Sequence, residues 1–297
     1  MLDFRIDSFL AVCKYMNFTK ASEELNITQP AVSQHIHYLE REYQTKLFEY
    51  KGKKLFLTPS GKLLLNAATT MKHDEIFLRK NMSQQHGEAR HMVLGATLTI
   101  GEFMMPQLLS RYLQKYPTVS IDLQIANTQQ LLEKIDRGEI DFALVEGYFD
   151  KREYDSRMFS KENYIAVCSP KYPFSDKEQS LEQLFNEKLI LREQGSGTRE
   201  ILERYLESKN FSFKDFHLLL QTNNIQAIKH FVMEGQGITF LYQITVQQEL
   251  LQGQLQQIYL PDFPLSHEFN VIWRKNSIFT EHYQEIFQEL KQFSAGI

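Results

Sequence analysis

Apolar residues recur at helical spacing through the first quarter of the chain. Residues 4–16 place Phe9, Leu10, Cys13 and Met16 on one face of a predicted helix. Asn17-Phe18 breaks it, and Thr19 reads as the cap of a short helix from Lys20 to Leu25, with Ala21 and Leu25 inward. After a turn at Asn26-Ile27, Thr28 caps a third helix. Pro30 is tolerated in its first turn, where amides have no intrahelical partner. Val32, Ile36, Leu39 and Tyr43 face the core of this helix, and Pro30, Ser33, Gln34, His37 and Arg41 lie opposite. Residues 47–58 then form two apolar runs around a glycine, the pattern of a hairpin. Residues 59–85 read as one long helix opened by Thr58 and Pro59, with Leu64, Met71 and Leu78 spaced by sevens. Such a stripe seeks a partner helix or packs against its own chain. Gln84-Gln85-His86-Gly87 marks a boundary.

From Met92 onward the period changes. Strands are predicted at 93–96, 119–126 and 141–145, with helices at 103–115 and 128–137, the latter stopped by Gly138. A second series follows: strands at 163–168, 188–191, 217–221 and 237–241, helices at 198–208 and 225–234. A strand at 269–273 and a helix at 281–293 close the chain, and Gln243–Gln257 reads as a helix and a turn. Alternation of this kind builds parallel sheets covered by helices, with ligands outside the carboxyl ends of the strands. The expected organisation is multidomain. It comprises an N-terminal all-α winged helix-turn-helix over 1–58, a linker helix over 59–87 and a C-terminal α/β two-lobed domain over 88–297. Its first lobe is expected at about 92–161 with 268–297, its second at about 162–267.

Composition agrees with a globular chain: 297 residues, 42% hydrophobic and 24% charged. Two cysteines, both in apolar runs, cannot build a disulfide framework. No stretch is apolar enough to span a membrane, and the N-terminus has no secretory pattern, so a cytoplasmic location is expected. The net charge of −4 argues against wholesale coating of nucleic acid, but residues 41–62 carry six bases against two acids.

That local excess lies beside the third helix. Two helices joined by a tight turn, the second with a small polar outer face, describe either a helix-turn-helix or an ordinary helical hairpin. The neighbouring Lys51-Gly52-Lys53-Lys54 favours the former, since a glycine tip ringed by lysines suits close approach to phosphate. Candidate DNA-binding residues are therefore Thr28, Gln29, Pro30, Ser33, Gln34, His37, Lys51, Lys53 and Lys54.

The run from Phe18 to Ile36, Phe-Thr-Lys-Ala-Ser-Glu-Glu-Leu-Asn-Ile-Thr-Gln-Pro-Ala-Val-Ser-Gln-His-Ile, resembles the winged helix-turn-helix of LysR-type transcriptional regulators. Leu39-Glu40, Leu47-Phe48 and Leu57-Thr58-Pro59-Ser60-Gly61 follow in matching order and spacing. The resemblance implies that Gln29, Pro30 and Ser33 sit at the DNA and that the base of the wing contacts its backbone. Position 34, often arginine in that family, is glutamine here, which shifts the preferred base from guanine towards adenine. It further implies a linker helix paired antiparallel in a dimer, a tetramer of two dimers, and a C-terminal domain built like a periplasmic solute-binding protein. The implied partners are double-stranded promoter DNA, a small effector and further copies of the chain, with RNA polymerase a candidate contact. The stretch Leu191–Arg199 looks most like the branch of regulators of cysteine synthesis and carbon fixation.

Two strand-to-helix turns carry hydroxyls and glycines, one containing Thr97, Thr99 and Ile100, the other Ser196, Gly197 and Thr198. Both fit an anion site at a helix start, and both fit simple N-capping. By the resemblance, Thr97 and Thr99 contact effector. Glu146 ends a strand at the same edge, expected at the rim of a cleft, where it meets either a ligand amine or a local base. Together these seven residues are the candidate effector site, and the ligand expected there is a small anion. Enzyme readings fail. Gly195-Ser196-Gly197-Thr198 lacks the P-loop lysine, and no Gly-x-Ser-x-Gly elbow occurs. His35 and His37 are two apart on a helix and cannot share a metal. No catalytic residue, metal or cofactor is expected. The alternative from another class is an α/β binding or catalytic protein whose N-terminal helices only mediate association; the lysine-ringed hairpin counts against it.

Overall fold

The structure, a computed structural model, describes residues 3–84, 90–172, 174 and 178–294. The chain divides into two compact units: Met1–Glu88 with Asp136–Gly138 and Arg274–Phe279, and Ala89–Ile135 with Glu139–Trp273 and Thr280–Ile297. The boundary read at 84–87 lies, beyond Gln84, outside the described residues.

In the first unit, helix α1 (Phe4–Tyr15) is capped by Asp3, whose carboxylate accepts the Arg5 amide at 2.9 Å. Helix α2 (Phe18–Leu25) starts before the expected Lys20, because Asn17 and not Thr19 caps it; Asn17 Oδ1 accepts the Lys20 amide at 3.0 Å. Helix α3 (Gln29–Glu42) is capped as expected, Thr28 Oγ1 accepting from the Ala31 amide at 3.3 Å. The core beneath these helices holds Phe9, Val12, Ala21, Val32, Ile36, Leu39, Leu47 and Phe48. Tyr43 is not part of it. It is the residue at which α3 ends, and it stands 50% exposed.

Strands β1 (Phe48–Lys51) and β2 (Lys54–Leu57) form the antiparallel hairpin, turned by Gly52 at φ 66°, a left-handed conformation that favours glycine. Helix α4 (Pro59–Gln84) follows. Its start is pressed against Leu47, just before β1, since a Cβ on Gly61 would lie 2.1 Å from the Leu47 carbonyl oxygen. Ala68 and Leu64 pack on the helical core, whereas Met71 and Leu78 are 42% and 43% exposed. Within this unit Asp74 accepts from Ser277 Oγ at 2.6 Å and from the Ile278 amide at 3.0 Å. Arg274 donates to Asp136, Thr70 and Asn66.

The second unit runs β3 (His91–Ala96), α5 (Leu98–Phe103), α6 (Met105–Lys115), β4 (Ser120–Ile125), α7 (Thr128–Asp136), β5 (Phe142–Val145) and β6 (Tyr154–Cys168). It continues through α8 (Leu181–Leu184), β7 (Lys188–Arg192), α9 (Gly197–Ser208), β8 (Leu218–Thr222), α10 (Ile225–Met233), β9 (Thr239–Tyr242) and α11 (Gln243–Leu251). Strands β10 (Gln256–Ile258) and β11 (Leu265–Arg274) and helix α12 (Thr280–Gln292) complete it. One sheet takes the order β10-β6-β11-β5-β3-β4, with β9 also on β6; β7 and β8 form a separate parallel pair.

The architecture is a two-lobed α/β domain, but its sheets are not all parallel. Strand β3 pairs parallel with β4 and β5, whereas β5–β11, β6–β9 and β6–β10 are antiparallel. Strand β6 begins at Tyr154, well before the expected Asn163. Its first half escaped the sequence pattern because only Tyr154 and Phe159 are buried there, so it carries no apolar run. The helix expected over 103–115 is α6, which starts at Met105 with Pro106 in its first turn; the short helix α5 precedes it. Strand β10 stands where a turn was expected. No helix among the described residues is long and apolar enough to cross a membrane.

Candidate DNA-reading face and buried polar cluster

Helix α3 presents Thr28, Gln29, Pro30, Gln34 and His37 to solvent, with Ser33 half-buried. Gln29 Nε2 donates to Ser33 Oγ at 2.9 Å, so the two side chains hold one another on the outer face. A groove of 290 Å³ between α3 and the hairpin is lined by Gln29, Ser33, His37, Tyr50 and Leu55 among others. Lys51, Lys53 and Lys54 are all exposed; Lys51 pairs with Glu49 at 3.1 Å.

Sequence reasoning gave Glu40 no role. Its buried carboxylate accepts from Lys46 Nζ at 2.6 Å and from the Leu47 amide at 3.0 Å, with His37 Nδ1 3.6 Å away. Burial pushes its pKa up, but these donors outweigh burial and hold it below the usual carboxylate range. Glu40 thus ties the end of α3 to the base of the hairpin.

The second site lies at the carboxyl ends of β3, β5 and β7. Thr97 and Ser196 occupy the cap positions of α5 and α9, yet neither side chain makes a cap hydrogen bond. Thr28, Asn17 and Asn224 do make theirs. Simple N-capping therefore does not explain the two hydroxyls. Thr99 and Thr198 are both fully buried, their hydroxyls 3.5 Å apart. Thr198 Oγ1 donates to Glu146 Oε1 at 3.2 Å, and Tyr164 Oη donates to the Thr198 carbonyl at 2.9 Å. Thr99 in α5 and Glu146 after β5 thus meet Thr198 in the first turn of α9.

Glu146 is not at a rim. It is 1% exposed, and the chain is tightly packed at the next residue, where a Cβ on Gly197 would lie 2.5 Å from Gly147 Cα. Burial outweighs the attraction of Arg192 and the hydroxyls of Thr198 and Thr99, and pushes its pKa up to about 7. Ile100 is also fully buried.

Two residues of this cluster, Arg192 and Thr128, were not among the seven candidate effector residues. Arg192, at the end of β7, is 2% exposed; its Nε and Nη2 donate to Glu193 at 2.8 and 3.0 Å. Thr128 opens α7, and its Oγ1 would lie 2.4 Å from a Cβ on Gly147. A charge closing the apolar run Leu189-Ile190-Leu191, and a hydroxyl at a third strand-to-helix turn, were the available signals. Five buried polar atoms in this region have no protein partner among the described residues: Thr97 Oγ1, Thr128 Oγ1, Glu146 Oε2, Arg192 Nη1 and Ser196 Oγ. Buried polar groups are nearly always satisfied, so such a concentration marks a place built for something else to bind.

Residues 5–62 match the family model of bacterial regulatory helix-turn-helix proteins of the lysR family, and residues 85–295 match the LysR substrate binding domain. The chain is similar to the HTH-type transcriptional regulator CysL of Bacillus subtilis, 31% identical over 273 residues, covering 90% of this chain and 89% of that protein. It is equally similar to the HTH-type transcriptional activator CmpR of Synechocystis, 31% identical, covering 92% of this chain and 89% of that one. Among solved structures, the OxyR C206 mutant of Corynebacterium glutamicum matches with a TM-score of 0.61 at 19% identity, over 97% of this chain and 90% of that one. The regulatory domain of Synechocystis CcmR, in complex with 2-PG, matches with a TM-score of 0.61 at 21% identity, over 70% of this chain and 98% of that one.

Proposed function

The chain belongs to the LysR family of transcriptional regulators, and from that premise we propose that it reads promoter DNA through α3 and the lysine hairpin while a small anion held in the buried cluster sets its state. The family is one of regulators and not of enzymes, so the cluster binds rather than catalyses. Similarity to CysL, CmpR and RuBisCO transcriptional regulators supports the branch of regulators of cysteine synthesis and carbon fixation.

The observation that carries the ligand reading is the set of five buried polar atoms without protein partners. Four of them, the three hydroxyls and the Arg192 guanidinium, can donate to an anion. The start of the twelve-residue helix α9 adds free amides and a partial positive charge. The same fold in CcmR holds 2-PG, a small anionic metabolite. Thr97, Thr99, Thr128, Arg192, Ser196, Gly197 and Thr198 are the proposed contacts, with Ile100 behind them and Glu146 opposite. The lobes, 92–161 with 268–297 and 162–267, contribute from both sides, so a bound anion favours one interlobe angle.

On the DNA side the proposed contacts are Thr28, Gln29, Pro30, Ser33, Gln34, His37, Lys51, Lys53 and Lys54. The proposed assembly is a dimer through the α4 stripe and a tetramer of two dimers, working in the cytoplasm, with RNA polymerase as a further contact at the promoter.

Calorimetry with a panel of small carboxylates, amino acids, sulfate, phosphate and sugar phosphates tests the ligand reading. Binding of an anion should weaken by roughly 10-fold or more in Thr99→Val, which keeps the shape and removes a hydroxyl from a buried, charge-bearing site. Selective binding of a neutral or cationic ligand, or equal affinity in the variant, would overturn it.

A further inference from the structure

The cluster sets one strong acceptor among donors. Thr97, Thr128, Ser196 and Arg192 all have hydrogens to give, whereas an ionised carboxylate only accepts. Glu146 Oε1 is engaged by Thr198 at 3.2 Å, and Oε2 has no protein partner in a residue that is 1% exposed. An anion drawn in by the donors brings its own oxygens towards Oε2. Two such oxygens cannot meet as like charges in a buried site; one proton must lie between them.

We infer that the effector is a small oxyanion bringing its own acidic hydrogen, of the hydrogen-phosphate kind, and that Glu146 selects it over permanently ionised anions of the sulfate kind. This rests on the anion reading of the cluster given above. A ligand hydrogen donated to Oε2 satisfies the acceptor while the remaining ligand oxygens take the hydroxyls and the guanidinium. Sulfate has no hydrogen at neutral pH, so it fits only when Glu146 itself is protonated and donates.

The groups facing Glu146 come from each element packed around it. Arg192 of β7 favours the ionised carboxylate, and Glu193 in turn pairs with that arginine. Thr99 of α5 and Thr198 of α9 supply hydroxyls. Tyr164 of β6 and Tyr242 of β9 are held un-ionised by burial. Glu102 of α5 is raised by burial against the pull of Arg192 and Lys229. With its carboxyl pushed up to about 7, Glu146 is largely protonated at pH 6 and largely ionised at pH 8.

Isothermal titration of the full chain with inorganic phosphate and with sulfate, from pH 6 to pH 9 in buffers of different ionisation heat, tests this. Sulfate binding should take up about one proton at pH 8 and weaken about tenfold per pH unit above 7. Phosphate binding at pH 8 should take up almost none, and phosphate should be preferred over sulfate by at least about tenfold. In Glu146→Gln the amide supplies a hydrogen at every pH, so sulfate affinity should become flat with pH and the preference should collapse. A sulfate affinity flat with pH in the wild type, without proton uptake, overturns the inference and leaves the anion reading standing; this readout needs no variant to fold. Full retention of the preference in a folded Glu146→Gln overturns it likewise. Failure of both anions to bind the wild type at any pH removes the anion reading itself and the inference with it.

Discussion

At position 146 burial of a carboxyl outweighs the pull of Arg192, which donates from two of its nitrogens to Glu193. Ionisation of Glu146 therefore costs the ligand-free protein stability. Its pKa is raised from 4.5 in the unfolded chain to about 7 in the folded one. The cost is absent below pH 4.5, grows as the unfolded state ionises first, and is complete above pH 7. Glu146→Gln cannot ionise, so it should leave stability unchanged at pH 4 and raise it at pH 8 by about 3 kcal/mol, from 1.36 kcal/mol per unit. Thermal melts of the ligand-free variant and wild type at the two pH values check this; an equal effect at both means the carboxyl titrates normally. Hydroxyls teach a related lesson. Thr28 and Thr97 both read as helix caps, but only Thr28 caps with its side chain. Local sequence allows a cap at both places, and the surroundings decide whether the hydroxyl is left for something else.

On the proposed reading, helix α3 and the hairpin divide their labour by residue type. Gln29 and Ser33 carry groups that match base edges, whereas exposed Lys53 and Lys54 are point charges suited to phosphate. Replacing Gln29 or Ser33 with alanine should reduce binding to the operator by about 1–3 kcal/mol and relax sequence preference, with little effect on random DNA. Replacing Lys53 or Lys54 should weaken all DNA alike and lower the salt slope by about one unit per lost phosphate contact. Gel shifts across a salt series with both DNA types separate the two outcomes, and identical behaviour of both classes would end the distinction. The link between the two elements was not legible in sequence. Glu40 looked like one more charge on a helix, and its burial against Lys46 and the Leu47 amide arises only when the chain turns back.

At the scale of the whole molecule, the seven-residue stripe on α4 splits in two. Leu64 packs on the helical core, while Met71 and Leu78 stay 42% and 43% exposed. Large apolar side chains left open in register on one helix suit a second copy of the chain. A dimer aligned on one face of DNA must set its reading helices about 34–36 Å apart or a multiple of that. Met71→Lys should therefore shift sedimentation to a smaller species and weaken operator binding without unfolding the subunit, since Met71 is outside the core. A variant that remains a full-strength DNA-binding oligomer would place the interface elsewhere.

What the sequence alone determined were features set by local chemistry. Helix periodicity, the cap at Thr28, the glycine turn at Gly52 and the lysines around it depend on neighbours within a few residues, as do most of the helices and strands of the second unit. The hydroxyl-bearing turns at Thr97 and Ser196 were legible for the same reason. Only the tertiary structure decided what depends on distant partners. It joined β6 from Tyr154 to Cys168 as one antiparallel strand whose first half has too few buried side chains to show a pattern. It buried Glu146, brought Gly147 against Gly197 and Thr99 to Thr198, and turned Arg192 inward at the end of β7. Charge and hydroxyl identity are written residue by residue, but burial is a property of the packing around them. Packing is what raises a carboxyl's pKa and leaves a hydroxyl without a partner.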